Sequence, residues 1–128
     1  MKNNSSDNVT LVLPAKGEFV STARLTASSV ANRIGFNIDE VEDIKVAVSE
    51  VCNIILSKVT DEISQYKISF DLSSDKLEIT FTSDEKELGC FDGKVENEYS
   101  LYIIKALMDS VELCNLNHSI VMTKRIGE

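Results

Sequence analysis

The chain has 128 residues, 43% of them hydrophobic and 27% charged, which predicts one soluble globular domain around a single core. Its 21 acidic and 13 basic side chains leave a net charge of −8 and no basic stripe, so direct binding to DNA or RNA is not expected. Neither a membrane span nor a signal peptide is recognisable, so we expect a cytoplasmic protein with a flexible tail over residues 1–8 and one domain over residues 9–128.

Hydrophobic periodicity predicts a strand, two helices, a hairpin, a third helix and a second hairpin, in that order. The first strand ends at Pro14, Gly35 is a natural stop for the first helix, and Asn37 or Asp39 can cap the second. This order favours an α+β two-layer sandwich, one mixed or antiparallel sheet with helices on one face. The predicted elements are strand 9–13, helices 18–34 and 39–60, strands 66–72 and 77–81, loop 83–98, helix 99–108, strands 111–116 and 119–126, and a tight turn at 115–118.

The cysteines and the histidine suggest no metal or redox chemistry. Cys52, Cys90 and Cys114 are spaced too widely for a Cys-x-x-Cys motif, and we expect reduced, mostly buried thiols. His118 is the only histidine and falls in the predicted hairpin turn, where a solvated side chain is expected. The sequence contains no Cys/His cluster, Walker motif or nucleophile elbow, so no metal site is predicted from these patterns.

The second predicted helix has two faces that both carry apolar residues. Val48 is at the centre of the core face, and Glu50 points roughly 160° away at 100° per residue. Either both faces are covered, one by the sheet and the other by a lid, ligand or partner, or the second face is partly exposed with scattered apolar residues. The other residues of the second face are Asp43, Val46, Ala47, Ile54 and Ser57.

Residues 13–16 and 24–26, the segment 39–50 (DEVEDIKVAVSE) and the segment 101–113 (LYIIKALMDSVEL) form a recognisable pattern. These segments resemble the anti-sigma-factor serine kinases, which belong to the GHKL superfamily of histidine-kinase-like ATP-binding domains. The resemblance covers about residues 9–126, nearly the whole chain. It implies the same α+β sandwich that the element order predicts.

The resemblance assigns roles to residues of the second helix. In the family, a Glu on this helix acts as general base, and an Asn four residues later helps to hold Mg²⁺. Glu50 matches the Glu and is the expected catalytic residue if the chain is active. Ile54 stands at the Asn position, and an isoleucine cannot donate an oxygen to Mg²⁺. Asn53 is one position early, about 100° round the helix, and would contact a cofactor only if the helix were distorted or the ligand placed differently.

Two further nucleotide motifs of the family are altered. Asp84 matches the Asp that accepts from the adenine amine, but Lys86 and Leu88 replace the glycines that follow it. Glu98 and Ser100 stand where a glycine-rich turn would cradle phosphates, and a carboxylate at a helix N-terminus repels an anion. Asp84 and Ser100 would therefore contact a nucleotide only if one binds, and neither ATP nor Mg²⁺ is expected in the family manner.

Arg24 matches an arginine on the surface that meets protein partners in the family. Its guanidinium suits bidentate pairing with carboxylates, and a solvated surface arginine is the alternative. The resemblance thus favours an anti-sigma-like domain that controls transcription by binding a sigma factor, an anti-anti-sigma (STAS) protein, or both, with a homodimer as one option. Two alternatives stay open: an active ATP-dependent serine kinase that phosphorylates an anti-anti-sigma factor, and a structural role in another assembly.

Overall fold

The computed structural model describes residues 7–57, 64–83, 98–113 and 119–127. Within them, five strands form one sheet in the order β1-β2-β3-β5-β4, and every strand pair is antiparallel. The strands are β1 (Asp7–Pro14), β2 (Gln65–Leu72), β3 (Lys76–Thr82), β4 (Ser110–Glu112) and β5 (Ile120–Arg125). The helices are α1 (Val20–Ile34), preceded by a 3₁₀ turn at Gly17–Phe19, α2 (Ile38–Ser57) and α3 (Glu98–Leu107).

The core lies on one face of the sheet. Along β2 and β3 every second side chain is buried, as the period of two in a strand requires. The buried residues of these strands are Tyr66, Ile68, Phe70, Leu72, Leu77, Ile79 and Phe81. Helix α1 contacts β2 and β3, so the helices cover this face. The predicted α+β sandwich is confirmed, with a fully antiparallel sheet among the described strands.

Helix α2 lies between α1 and α3 and contacts both. Val48 is fully buried, as expected for the centre of the core face. Ala47 and Ile54, on the half that faces away from Val48, are also buried, whereas Ser57 is exposed. The structure therefore confirms cover on two sides for part of this helix, and neighbouring helices of the same chain contribute to it.

The first residues of α2 are held by a capping box. The Asn37 side chain accepts a hydrogen bond from the Glu40 backbone N–H (2.8 Å), and the Glu40 carboxylate accepts one from the Asn37 N–H (2.9 Å). The same carboxylate accepts a bond from the Gly127 N–H (2.9 Å), which ties the segment after β5 to the start of α2. Of the two predicted caps, Asn37 is the one used. Gly35, with φ 109°, ends α1 as predicted.

Several predicted boundaries differ from the structure. Strand β1 begins at Asp7, not at residue 9, because residues 7 and 8 already pair with β2, so they do not belong to the predicted flexible tail 1–8. The Asn8 side chain adds hydrogen bonds to Ser69 (2.7 Å) and Asp71 (2.8 Å) on β2. Strand β4 begins at Ser110 and ends at Glu112, so Leu113 does not belong to it as the prediction of 111–116 requires, and residues 114–116 of that prediction lie outside the described residues. Alternation alone does not extend a strand beyond its partner. The predicted 115–118 turn and residues 84–97 of the predicted loop lie outside the described residues.

Candidate functional site

Glu50 lies in the C-terminal half of α2 and is half-buried. Ile54 follows one turn later, so the two side chains lie along neighbouring positions of one helix stripe. The Ile54 side chain is only 1% exposed. A hydrocarbon group packed in the interior therefore stands at the position where the family's motif has an oxygen ligand for Mg²⁺.

Asn53 is exposed, in contrast to its buried neighbour. Helix α2 is continuous from Ile38 to Ser57, so Asn53 and Ile54 project about 100° apart. The helical distortion that would turn Asn53 toward the Ile54 position is absent from this described helix. Asn53 thus does not replace the missing side-chain oxygen by a change of helix geometry.

The other predicted nucleotide contacts are only partly covered by the structure. Ser100 lies in the first turn of α3 and is half-buried. Helix α3 begins at Glu98, one residue before the predicted start at residue 99. Asp84 lies outside the described residues, as do Cys90, Cys114 and His118.

Arg24 lies at the junction of α1 and α2. Its Nη1 donates a hydrogen bond to Ser49 Oγ (2.9 Å), and Ser49 Oγ donates to the Lys45 carbonyl oxygen (3.1 Å). Arg24 is half-buried, whereas Ser49 is only 8% exposed. Sequence reasoning singled out Arg24 but missed Ser49. The available signal was a hydroxyl residue one turn after Lys45, directly after the apolar run 46–48.

Cys52 is a buried, free thiol, as predicted. Its neighbour is the phenol of Tyr66, whose hydroxyl is buried and has no hydrogen-bond partner among the described residues. Burial raises the pKa of Cys52 from 9.0 to about 11, and the nearby Tyr66 hydroxyl acts in the opposite direction. Burial, followed by the Cys52 charge, also raises the pKa of Tyr66. A thiol of this kind stays protonated and unreactive at neutral pH.

Lys124, near the end of β5, connects this strand with α2 and α3, a role that sequence reasoning missed. Its Nζ donates a hydrogen bond to the Leu107 carbonyl oxygen at the end of α3 (2.6 Å) and lies 3.8 Å from a carboxylate oxygen of Asp43 on α2. A cation is favourable at a helix C-terminus, where carbonyl groups lack helical partners. The side chain of Lys124 is 13% exposed, so this charge is largely shielded from water.

The antiparallel sheet with helices on one face is consistent with a histidine-kinase-like ATPase domain, and a comparison of the sequence with known families identifies that class. A family described as histidine kinase-like ATPase domain matches residues 13–124. Two relatives are both named serine-protein kinase RsbW. The relative from Halalkalibacterium halodurans is 35% identical over 128 residues, covering 88% of this chain and 79% of that protein. The relative from Bacillus cereus (strain G9842) is 34% identical over 137 residues, covering 94% of this chain and 86% of that protein.

Within that class, the chain belongs to the family of anti-sigma-factor serine kinases. The family resemblance inferred from residues 13–16, 24–26, 39–50 and 101–113 is therefore confirmed. In the parts of the chain that the structure describes, no helix combines the length and the apolar character needed to cross a membrane.

Proposed function

We propose that this chain is an anti-sigma regulatory protein that acts by binding a sigma factor, an anti-anti-sigma protein, or both, and that it does not hold ATP and Mg²⁺ in the family manner. Family membership supports the regulatory role and the class of partner. The observation that carries the second part is Ile54, buried at the metal-ligand position of α2.

The physical argument rests on what Mg²⁺ requires. The ion binds oxygen ligands in near-octahedral geometry and usually bridges a carboxylate or amide to substrate phosphates. Ile54 offers no oxygen, and the Asn53 amide points in another direction along a regular helix. The residue type at the start of α3, Glu98, adds a negative charge to the helix end that would face a triphosphate. Asp84 and Ser100 then serve purposes other than nucleotide binding.

Arg24 is the proposed partner-binding residue. It is half-buried at the α1–α2 junction and makes no ion pair within the described residues. A guanidinium in this setting keeps donors that can form paired bonds with a carboxylate of another protein. We expect Arg24→Gln to weaken binding to the protein partner, and Arg33→Gln to serve as the control that removes the same charge from an exposed site on α1.

Calorimetric titration with ATP and Mg²⁺ tests the nucleotide part of the proposal. The Halalkalibacterium halodurans relative, measured under the same conditions, is the reference protein. We expect binding heat for the relative and none for this chain. Mg²⁺-dependent binding of ATP by this chain with micromolar affinity would contradict the proposal.

Co-purification tests the partner part. The tagged chain is mixed in turn with the sigma factors and STAS-domain proteins encoded in the same genome, and complexes are separated by size-exclusion chromatography. We expect a stable complex with at least one of them, weakened by Arg24→Gln and unaffected by Arg33→Gln. If none of them forms a complex, the proposed regulatory function is wrong.

A serine kinase is the second candidate, and the identity to two serine-protein kinases together with the retained Glu50 favours it. In that reaction Glu50 would accept the proton of a serine hydroxyl on the anti-anti-sigma protein while the γ-phosphoryl group moves to the serine oxygen and ADP leaves. Transfer of labelled phosphate that is lost in Glu50→Ala and kept in Glu42→Ala would establish this candidate and replace the first.

A further inference from the structure

The hydroxyl of Ser49 both donates and accepts a hydrogen bond. Its single proton is donated to the Lys45 carbonyl oxygen at 3.1 Å, so its lone pairs are left to accept the bond from Arg24 Nη1 at 2.9 Å. Ser49 is 8% exposed on a helix with little freedom to move, since α2 is packed between α1 and α3. The acceptor that Arg24 meets is therefore fixed in place.

The guanidinium of Arg24 has five N–H donors, and the bond to Ser49 uses one of them. The nearby cation Lys45 lies 3.1 Å from the Glu42 carboxylate, whereas Arg24 has no ion pair among the residues that the structure describes. A neutral acceptor holds the orientation of the guanidinium without neutralising its charge. The charge of Arg24 thus stays available to an external carboxylate.

We propose that Ser49 is a positioning residue, which holds Arg24 in the orientation that receives a carboxylate of the protein partner. This inference rests on the proposed function and specifies how its binding surface is prepared. A long side chain fixed before association loses less rotamer entropy when the complex forms. In a protein with a net charge of −8, one oriented guanidinium also concentrates the attraction for an acidic group at a defined point.

The first measurement needs no partner. Rotation about the guanidinium bonds of Arg24 is measured by nitrogen-15 NMR in the wild-type chain, Ser49→Ala, Ser49→Thr and Ser57→Ala. Ser57 is the matched control, because its Oγ also donates to a carbonyl of α2, that of Ile54 (2.7 Å). We expect Ser49→Ala to accelerate the rotation several-fold, Ser49→Thr to keep it slow, and Ser57→Ala to leave it unchanged. Equal rotation rates in wild type and Ser49→Ala would overturn the inference.

The second measurement is a double-mutant cycle on the affinity for the sigma factor or STAS protein found by co-purification. We expect Ser49→Ala to weaken binding about fivefold, the equivalent of one hydrogen bond, and to add almost nothing once Arg24 is replaced by Gln. Ser49→Thr restores the affinity if the hydroxyl is what matters.

The outcomes separate the two ideas. If the wild-type chain binds none of these proteins, the proposed function fails. If the wild-type chain binds one of them and Ser49→Ala binds equally well, or if Ser49→Ala weakens binding to the same extent without Arg24, only the positioning role of Ser49 is overturned.

Discussion

The two halves of α2 differ in how their side chains are used. At its N-terminal end the polar groups are closed in hydrogen bonds, with Asn37 and Glu40 capping each other and Glu40 also holding Gly127. Toward its C-terminal end, where the family's chemistry belongs, Glu50 is kept but Ile54 is buried hydrocarbon. The polar groups that orient the helix are therefore paired within the chain, and Ile54 contributes to the core.

The contrast has an energetic consequence at position 54 of α2. A buried isoleucine side chain contributes roughly 2–3 kcal/mol of apolar burial, whereas an asparagine at the same place would need a metal or hydrogen-bond partners to offset its desolvation. On the proposed function, the side chain at position 54 contributes to packing rather than to binding a metal. Four predictions test this contrast, beginning with the largest effect.

Replacing Ile54 by Ala gives the largest effect, and it tests whether this position is core or an open pocket. We expect a loss of about 3 kcal/mol in the free energy of unfolding, because a cavity is left in a fully buried site. The measurement is urea unfolding followed by circular dichroism. Asn53→Ala, at the exposed neighbouring position, is the control and should stay within about 0.5 kcal/mol. A loss below that control value for Ile54→Ala would mean that Ile54 lines an open cleft.

Replacing Lys124 by Met should cost about 2 kcal/mol, because the Leu107 carbonyl oxygen loses a charge-assisted donor whose side chain is only 13% exposed. This change reaches α2 as well, since Asp43 loses the cation 3.8 Å away. Thermal unfolding is a suitable measurement. The matched control is Lys105→Met, which removes the same charge from an exposed position in the last turn of α3 and should shift stability by less than about 0.5 kcal/mol. Equal effects of the two changes would show that Lys124 acts only as a surface charge.

Replacing Glu40 by Ala tests the N-terminal half of α2. We expect a loss of about 1.5 kcal/mol, because the carboxylate bonds to the Asn37 and Gly127 N–H groups both disappear. Glu42→Ala is the control, since Glu42 forms only an exposed ion pair with Lys45, a type worth at most about 0.5 kcal/mol on a helix. Hydrogen exchange at the Asn37 and Gly127 amides locates the effect. Unchanged exchange there would mean that the capping box and the strap to Gly127 do not form in solution.

Alkaline pH gives the smallest effect and reports on the interior beside the C-terminal half. The pKa of Cys52 is about 11 in the folded chain against an ordinary 9.0. The folded state therefore keeps a proton that the unfolded state releases, so stability is full below pH 9 and falls as pH rises toward 11. The loss from this group is about 1 kcal/mol at pH 10 relative to pH 8. Cys52→Ala should flatten this part of the stability profile, and an unchanged slope would show that the thiol ionises freely in the folded chain.

Much of the fold followed from local patterns. Periodicity located all three helices and the hairpin of β2 and β3 to within one or two residues where both ends are described, because burial on one side imposes periods of 3.6 and 2. The length of β4 did not follow, since it depends on a partner strand that is close in space and has its own end. The sequence also did not predict that the Glu40 carboxylate accepts hydrogen bonds from both Asn37 and Gly127, because Gly127 is 87 residues away along the chain.

The candidate site divides in the same way. The amino-acid types alone established that Glu50 is present and that Ile54 has no oxygen for a metal, since these are properties of side-chain chemistry. The partner-binding position of Arg24 is implied by the resemblance to the family. Only the tertiary structure decided that Ile54 is fully enclosed, that Asn53 faces outward, and that Arg24 is held by Ser49. Burial and long-range hydrogen bonds depend on which helices pack together, and α1, α2 and α3 meet only in the folded chain.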